Sequence, residues 1–220
     1  MTADLLAGGA ASSSRTLATI AVTGAMVFVV LLALLHVLRT DLAPTWHVIS
    51  EYANGPHGWL MTIAFAALAV SCASTVLALS AHAEGWGVWI GLGLVTLAAI
   101  GLGMAALFPA DIVQDPMPPM SWTGTMHGVA SMLGNPTLMI GMVVLAYALP
   151  WNAPWATSGA ALQVFAYLSW LCFIAMMVGM FVFLPQGTGG LAMLVGFGNR
   201  LLVVAYAAWL ITANWPLLRA

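Results

Sequence analysis

The sequence predicts an all-α integral membrane bundle of six transmembrane helices, and two observations predict it. Charge is almost missing: of 220 residues, 63% are apolar and 5% are Asp, Glu, Lys or Arg, against roughly 25% charged residues in a soluble domain. A surface so poor in charge must face hydrocarbon, and the mean hydropathy of +1.04 agrees. The second observation is the gathering of apolar residues into six runs, each near the roughly 20 residues a helix needs to cross a bilayer. None shows the strict alternation of a barrel strand. The expected partner is therefore the lipid bilayer. Nucleic acid is excluded as a partner, because a net charge of −2 with four basic residues cannot neutralise phosphates.

Residues 1–15 read as a short polar tail and residues 16–220 as one six-helix transmembrane domain. The first span is predicted at Thr16–Leu38; its apolar run exceeds the roughly 7–15 residues of a signal-peptide core and reads as a retained helix. The second and third spans are predicted at Trp59–Ala81 and Trp86–Leu107, with His82 and Glu84 between them. Glycines 91, 93, 101 and 103 should let the third helix approach a neighbour closely. The fourth span, Thr125–Leu149, carries His127 in its first turn and Asn135-Pro136 in its middle, where the missing N–H should kink it. The fifth and sixth are predicted at Ala160–Leu184 and Leu191–Trp215. Trp59, Trp86, Trp122, Trp151, Trp155 and Trp215 fall near the ends, as an interfacial aromatic belt requires. Cys72 and Cys172 lie inside apolar runs, which predicts buried packing and no disulfide.

Alternate loops share a side of the membrane. The loops after helices one, three and five hold Asp41, His47, Ser50, Glu51, His57, Asp111, Asp115 and Gln186, so ionisable chemistry is concentrated on one face. Arg15 and Arg219 flank the other face, against Arg39 alone on this one. The positive-inside rule then puts both termini in the cytoplasm and the polar face outward.

Three features could carry chemistry. In loop one, Pro44 and Thr45 can start a helix that Asn54-Gly55-Pro56 must end. About two turns would lie along the interface, with His47, Ser50 and Glu51 at i, i+3 and i+4 on one face and Trp46, Val48 and Ile49 toward lipid. A carboxylate beside an imidazole orients it and raises its basicity; the bland alternative is a polar face that meets water. In loop three, Asp111 and His127 lie at similar depth. With His47 and His57 they could hold zinc, although no HxxH or HExxH supplies two ligands from one helix. The third feature is Arg200, about nine residues or 14 Å inside helix six. Arginine at that depth costs about 2.5–3.5 kcal/mol, so it should be paired or face water. Asn199 stands beside it, and Glu51 and Asp111 are the expected partners. A staple between helices and loops, an anion site, and snorkelling to the interface all remain open.

The run His47-Val-Ile-Ser50-Glu51-Tyr52 before a glycine-bounded turn, Phe108-Pro109-Ala110-Asp111, the Gly/His pair within Gly124–Gly128, and Gly198-Asn199-Arg200 together form a pattern. It resembles domain-of-unknown-function family 998, a group of bacterial multi-pass membrane proteins. The resemblance covers nearly the whole chain and implies a six-helix membrane fold with these polar positions on one side. It implies no activity.

Three functions are compatible with the residues. The first is an outward-facing polar site that binds a lipid headgroup or other small anionic ligand through His47, Ser50, Glu51, Asp111, His127, Asn199 and Arg200. The second is a metal-dependent hydrolase of a lipid ester or amide, with His47, His57, Asp111 and His127 around zinc. The third is a non-catalytic structural or sensing subunit.

Overall fold

The computed structural model describes residues 2–112 and 119–219. Its elements are α1 (Thr2–Leu38), α2 (Gly58–Ser80), α3 (Trp86–Leu107), α4 (Trp122–Ala148), α5 (Gly159–Val178) and α6 (Met193–Arg219). Each contains a stretch long and apolar enough to cross a membrane, and the described residues include no strand. The all-α bundle of six spans is thus observed, and α3 has the bounds that the apolar run predicts. Asp115 lies outside the described residues.

Each helix packs on its neighbour in sequence, and α6 closes the bundle against α1 and touches α2. Small and apolar residues make this possible. On α1, Ala18, Ala21, Ala25, Phe28, Leu32 and Leu35 recur every three or four residues, and all are buried. α3 approaches α4 closely. A Cβ at Gly101 would stand 2.6 Å from the Gly134 nitrogen and 2.8 Å from the Ala130 carbonyl oxygen, so only glycine lets these backbones meet. Cys72 and Cys172 are buried free thiols, as their positions predict.

The aromatic belt holds for five of its six tryptophans, which are exposed at helix ends; Trp151 is 90% exposed. Trp155 departs from it. It is fully buried, and its indole N–H donates to the Ala213 carbonyl at 2.7 Å. That bond gives the connection between α4 and α5 an anchor on α6.

Loop one also departs from expectation. In place of two turns lying along the interface, it forms a single 3-10 turn, Ile49–Ala53, tucked into the end of the bundle. Ile49, expected toward lipid, is 2% exposed, and Glu51 is fully buried. The reason is that α6 supplies donors and acceptors for the loop backbone. Gly196 N–H donates to the Thr45 carbonyl at 3.0 Å, and Ile49 N–H donates to Asn199 Oδ1 at 2.8 Å. A backbone held from outside at these points has no need of intrahelical bonds there.

Candidate functional site

Two arginines clamp loop one. Arg39 is buried and makes a bidentate pair with Asp41, Nε to Oδ1 and Nη2 to Oδ2, each at 2.8 Å. Its Nη1 donates to the carbonyls of Tyr52 (3.2 Å) and Asn54. The hydrogen bonds from Arg39 hold the Asp41 carboxyl below its ordinary pKa, and the same pair raises that of Arg39. Read in sequence, Arg39 counted only toward orientation; the carboxylate two residues on was the available sign of its role.

Arg200 holds the loop from below. Its Nε donates to His36 Nε2 at 2.6 Å, and Nη1 to the carbonyls of His47 (2.7 Å) and Gly196 (3.0 Å). Nη2 donates to the Tyr52 hydroxyl at 2.8 Å, and the guanidinium lies over the Tyr52 ring, 5.5 Å from its centroid. Arginine has only N–H to give, so His36 Nε2 must accept. The His36 proton then sits on Nδ1, which donates to the Leu32 carbonyl at 2.7 Å, and the ring is neutral. The expected carboxylate partners are not found: among the described residues, every hydrogen bond from Arg200 ends on a neutral acceptor. Glu51 is engaged elsewhere, because His47 Nδ1 donates to its Oε2 at 2.5 Å and Val48 N–H to its Oε1 at 2.9 Å. The His47–Glu51 pair at i, i+4 is therefore formed as its spacing predicts.

Asp111 serves the start of α4. Its carboxylate accepts from Ser121 N–H (2.8 Å) and Ser121 Oγ (2.6 Å), and these bonds hold its pKa below the ordinary value. Ser121 in turn caps α4, accepting from Gly124 N–H at 2.9 Å. His127, in the first turns of that helix, donates from Nδ1 to the Phe108 carbonyl at 2.8 Å, leaving Nε2 as an acceptor. Asn54 ties the two loops together through the Ala110 carbonyl at 2.7 Å.

Between loop one, α2, α3, α4 and α6 lies a partly enclosed cavity of about 70 Å³, space for a few water molecules. Ser50, His127, Ser131, Asn135, Asn199 and Tyr206 supply its polar lining, and Phe65, Leu68, Leu102 and Val203 are among its apolar walls. Tyr206 donates to Asn135 Oδ1 at 3.2 Å. The cavity reaches only as far as Leu138 and Tyr206; further along, Met139, Met142, Leu145, Trp209 and Leu210 are all buried.

The seven predicted binding residues thus divide. Ser50, His127 and Asn199 meet at the cavity, His47, Glu51 and Arg200 hold loop one in place and do not line the cavity, and Asp111 holds the cap of α4. His57 is exposed at the start of α2. The proposed zinc ligands are not brought together: no three His, Cys, Asp or Glu side chains among the described residues are placed to hold a metal ion. His36, which by its place at the end of helix one could join His47 and His57, instead accepts from Arg200. Tyr52, Ser131 and Tyr206 were missed. Tyr52 had a sign in the motif around His47; the other two join through contacts between helices that leave no local pattern.

Six apolar spans and a polar end closed by a clamped loop define a multi-pass membrane protein. A family model described as "Protein of unknown function (DUF998)" matches residues 22–216, and the chain belongs to that family. Searches of the curated proteins and of the solved structures gave no match.

Proposed function

We propose that this protein binds a small molecule in the cavity beneath loop one, and that the ligand is recognised by hydrogen bonds. The observation that carries this reading is unspent hydrogen-bonding capacity on one cavity. The hydroxyls of Ser50 and Ser131, Nε2 of His127 and the amide nitrogens of Asn135 and Asn199 have no described protein partner. Five such groups inside a membrane bundle are costly unless water or a ligand meets them. Arg200 is engaged by four protein acceptors, which favours an uncharged polar group over the anion that its depth suggested.

The test is Ser131→Leu, which fills the cavity while removing no described hydrogen bond. Protein purified in mild detergent is expected to carry a small-molecule adduct in native mass spectrometry, and the variant to lose it while keeping its melting temperature. An adduct that survives Ser131→Leu, or a wild-type protein with none after growth and gentle extraction, would sink the reading.

We further infer, from the balance of Arg15 and Arg219 against Arg39, that the loop-one face points out of a bacterial inner membrane with both termini cytoplasmic. A cysteine replacing the exposed His57 should then react with a membrane-impermeant thiol reagent in whole cells. Labelling that requires a permeant reagent would reverse the orientation.

A further inference from the structure

We propose that the cavity is filled from the bilayer, through a cleft between α4 and α5, by a neutral chain-shaped amphiphile with a compact hydroxyl or carbonyl head. The proposal rests on the binding reading above and adds a route and a ligand class to it.

The cleft is visible along single stripes of α4. Residues seven apart lie almost above one another on a helix, two turns away. Along one such stripe, Met132 is 75% exposed, whereas Met139 and Ala146 are fully buried. Along the next, Gly128 and Asn135 are half-buried and Met142 is buried. The same side of α4 is therefore covered in the half of the membrane away from loop one and uncovered in the half near it. In the covered half, the hydroxyls of Tyr147 on α4 and Tyr167 on α5 bond at 2.5 Å, joining the two helices. Near loop one, α5 gives way to a π-helical turn, Gly179–Phe183, and no residue of α5 lines the cavity although α4 and α6 on either side both do. The cleft is placed where α4 is uncovered and α5 lines nothing, at the level of Ser131 and Asn135.

Chemistry restricts what can enter. Asn135 lies thirteen residues along α4 from Trp122, or about 20 Å at 1.5 Å per residue, deep in the apolar layer. A ligand arriving there through lipid must be apolar over most of its length. Among the described residues, its head meets amide, hydroxyl and neutral imidazole groups and no uncommitted cation. A phosphate or carboxylate would be buried without a counter-charge. A cavity with room for a few water molecules accommodates a hydroxyl or carbonyl and the first carbons of its chain.

The experiment uses the full chain in phospholipid nanodiscs with two photoreactive alcohols, each carrying a diazirine next to its hydroxyl: a hexadecanol and a water-soluble butanol. A phosphatidic acid with the same photoreactive group is the anionic control. Hexadecanol is expected to label the 128–135 segment of α4, and Ser131→Leu to reduce that labelling about ten-fold, the effect of losing one hydrogen bond with its site. Labelling at lipid-facing Val30 and Leu77 should not change. Met132→Trp, at the exposed end of its stripe and outside the cavity lining, should slow labelling by hexadecanol and leave butanol unaffected.

If butanol labels the cavity in a Ser131-dependent way and hexadecanol does not, the lateral route is overturned and the binding reading stands. If phosphatidic acid labels the segment most strongly, the neutral class is overturned. If no probe shows dependence on Ser131, both readings fall.

Discussion

Arg200→Leu is expected to free loop one while leaving all six helices inserted. Leucine leaves His36 Nε2, the His47 carbonyl and the Tyr52 hydroxyl without the donor they now share. Each buried acceptor left unpaired costs roughly 1–3 kcal/mol, so undocking the loop should be eased by about 3–9 kcal/mol before relaxation. Insertion moves the other way, since replacing arginine with leucine in a transmembrane helix gains roughly 3 kcal/mol. The two effects act on different equilibria and can be read separately. Membrane-inserted yield should hold or rise. Amide hydrogen exchange in the 45–54 segment should accelerate at least about a hundred-fold, the equivalent of some 2.7 kcal/mol. Arg200→Lys should behave similarly, because a point ammonium cannot meet three acceptors in a fork. Unchanged exchange in 45–54 would show that the loop is held without the guanidinium.

The second large effect is expected at Gly101. A valine there places its Cβ 2.6 Å from the Gly134 nitrogen, 2.7 Å from the Gly134 Cα and 2.8 Å from the Ala130 carbonyl oxygen. All three are backbone atoms of α4, so no side chain can rotate away and the helices must separate. Overpacking of this kind costs about 1–3 kcal/mol, which for a chain of this size lowers the melting temperature by roughly 2–12 °C. Gly93→Val and Gly103→Val are the controls, since nothing lies within 4 Å of a Cβ at either position. Melting in detergent should therefore fall for Gly101→Val alone among the three. Equal losses would assign the effect to helix propensity or insertion, with no part for the α3–α4 contact.

These glycines also mark where sequence reading stops. Gly91, Gly93, Gly101 and Gly103 of α3 read alike as sites of close approach. The structure uses Gly91, against Leu145, and Gly101, against Gly134, and leaves Gly93 and Gly103 open. Which side of a helix meets a partner is hard to read when almost every side is apolar, because lipid and protein interior favour the same residues. Loop one divides similarly. The His47–Glu51 pair was legible because its partners are four residues apart. Arg200 was legible as an anomaly, but its partners were not: His36, His47 and Tyr52 stand 164, 153 and 148 residues away.

What this sequence determines by itself is the class of molecule and the face on which its polar residues collect. Too few charges and six apolar runs leave closed hydrogen-bonded helices across a bilayer as the available structure, and the alternation of loops does the rest. Only the tertiary structure decides how the polar groups pair. In a low dielectric, each buried donor or acceptor must be met by whatever the packing brings within about 3 Å. So Arg200 is bound by a neutral histidine, a tyrosine and two carbonyls, Asp111 by a helix cap, and Ser50, His127 and Asn199 are left facing one cavity.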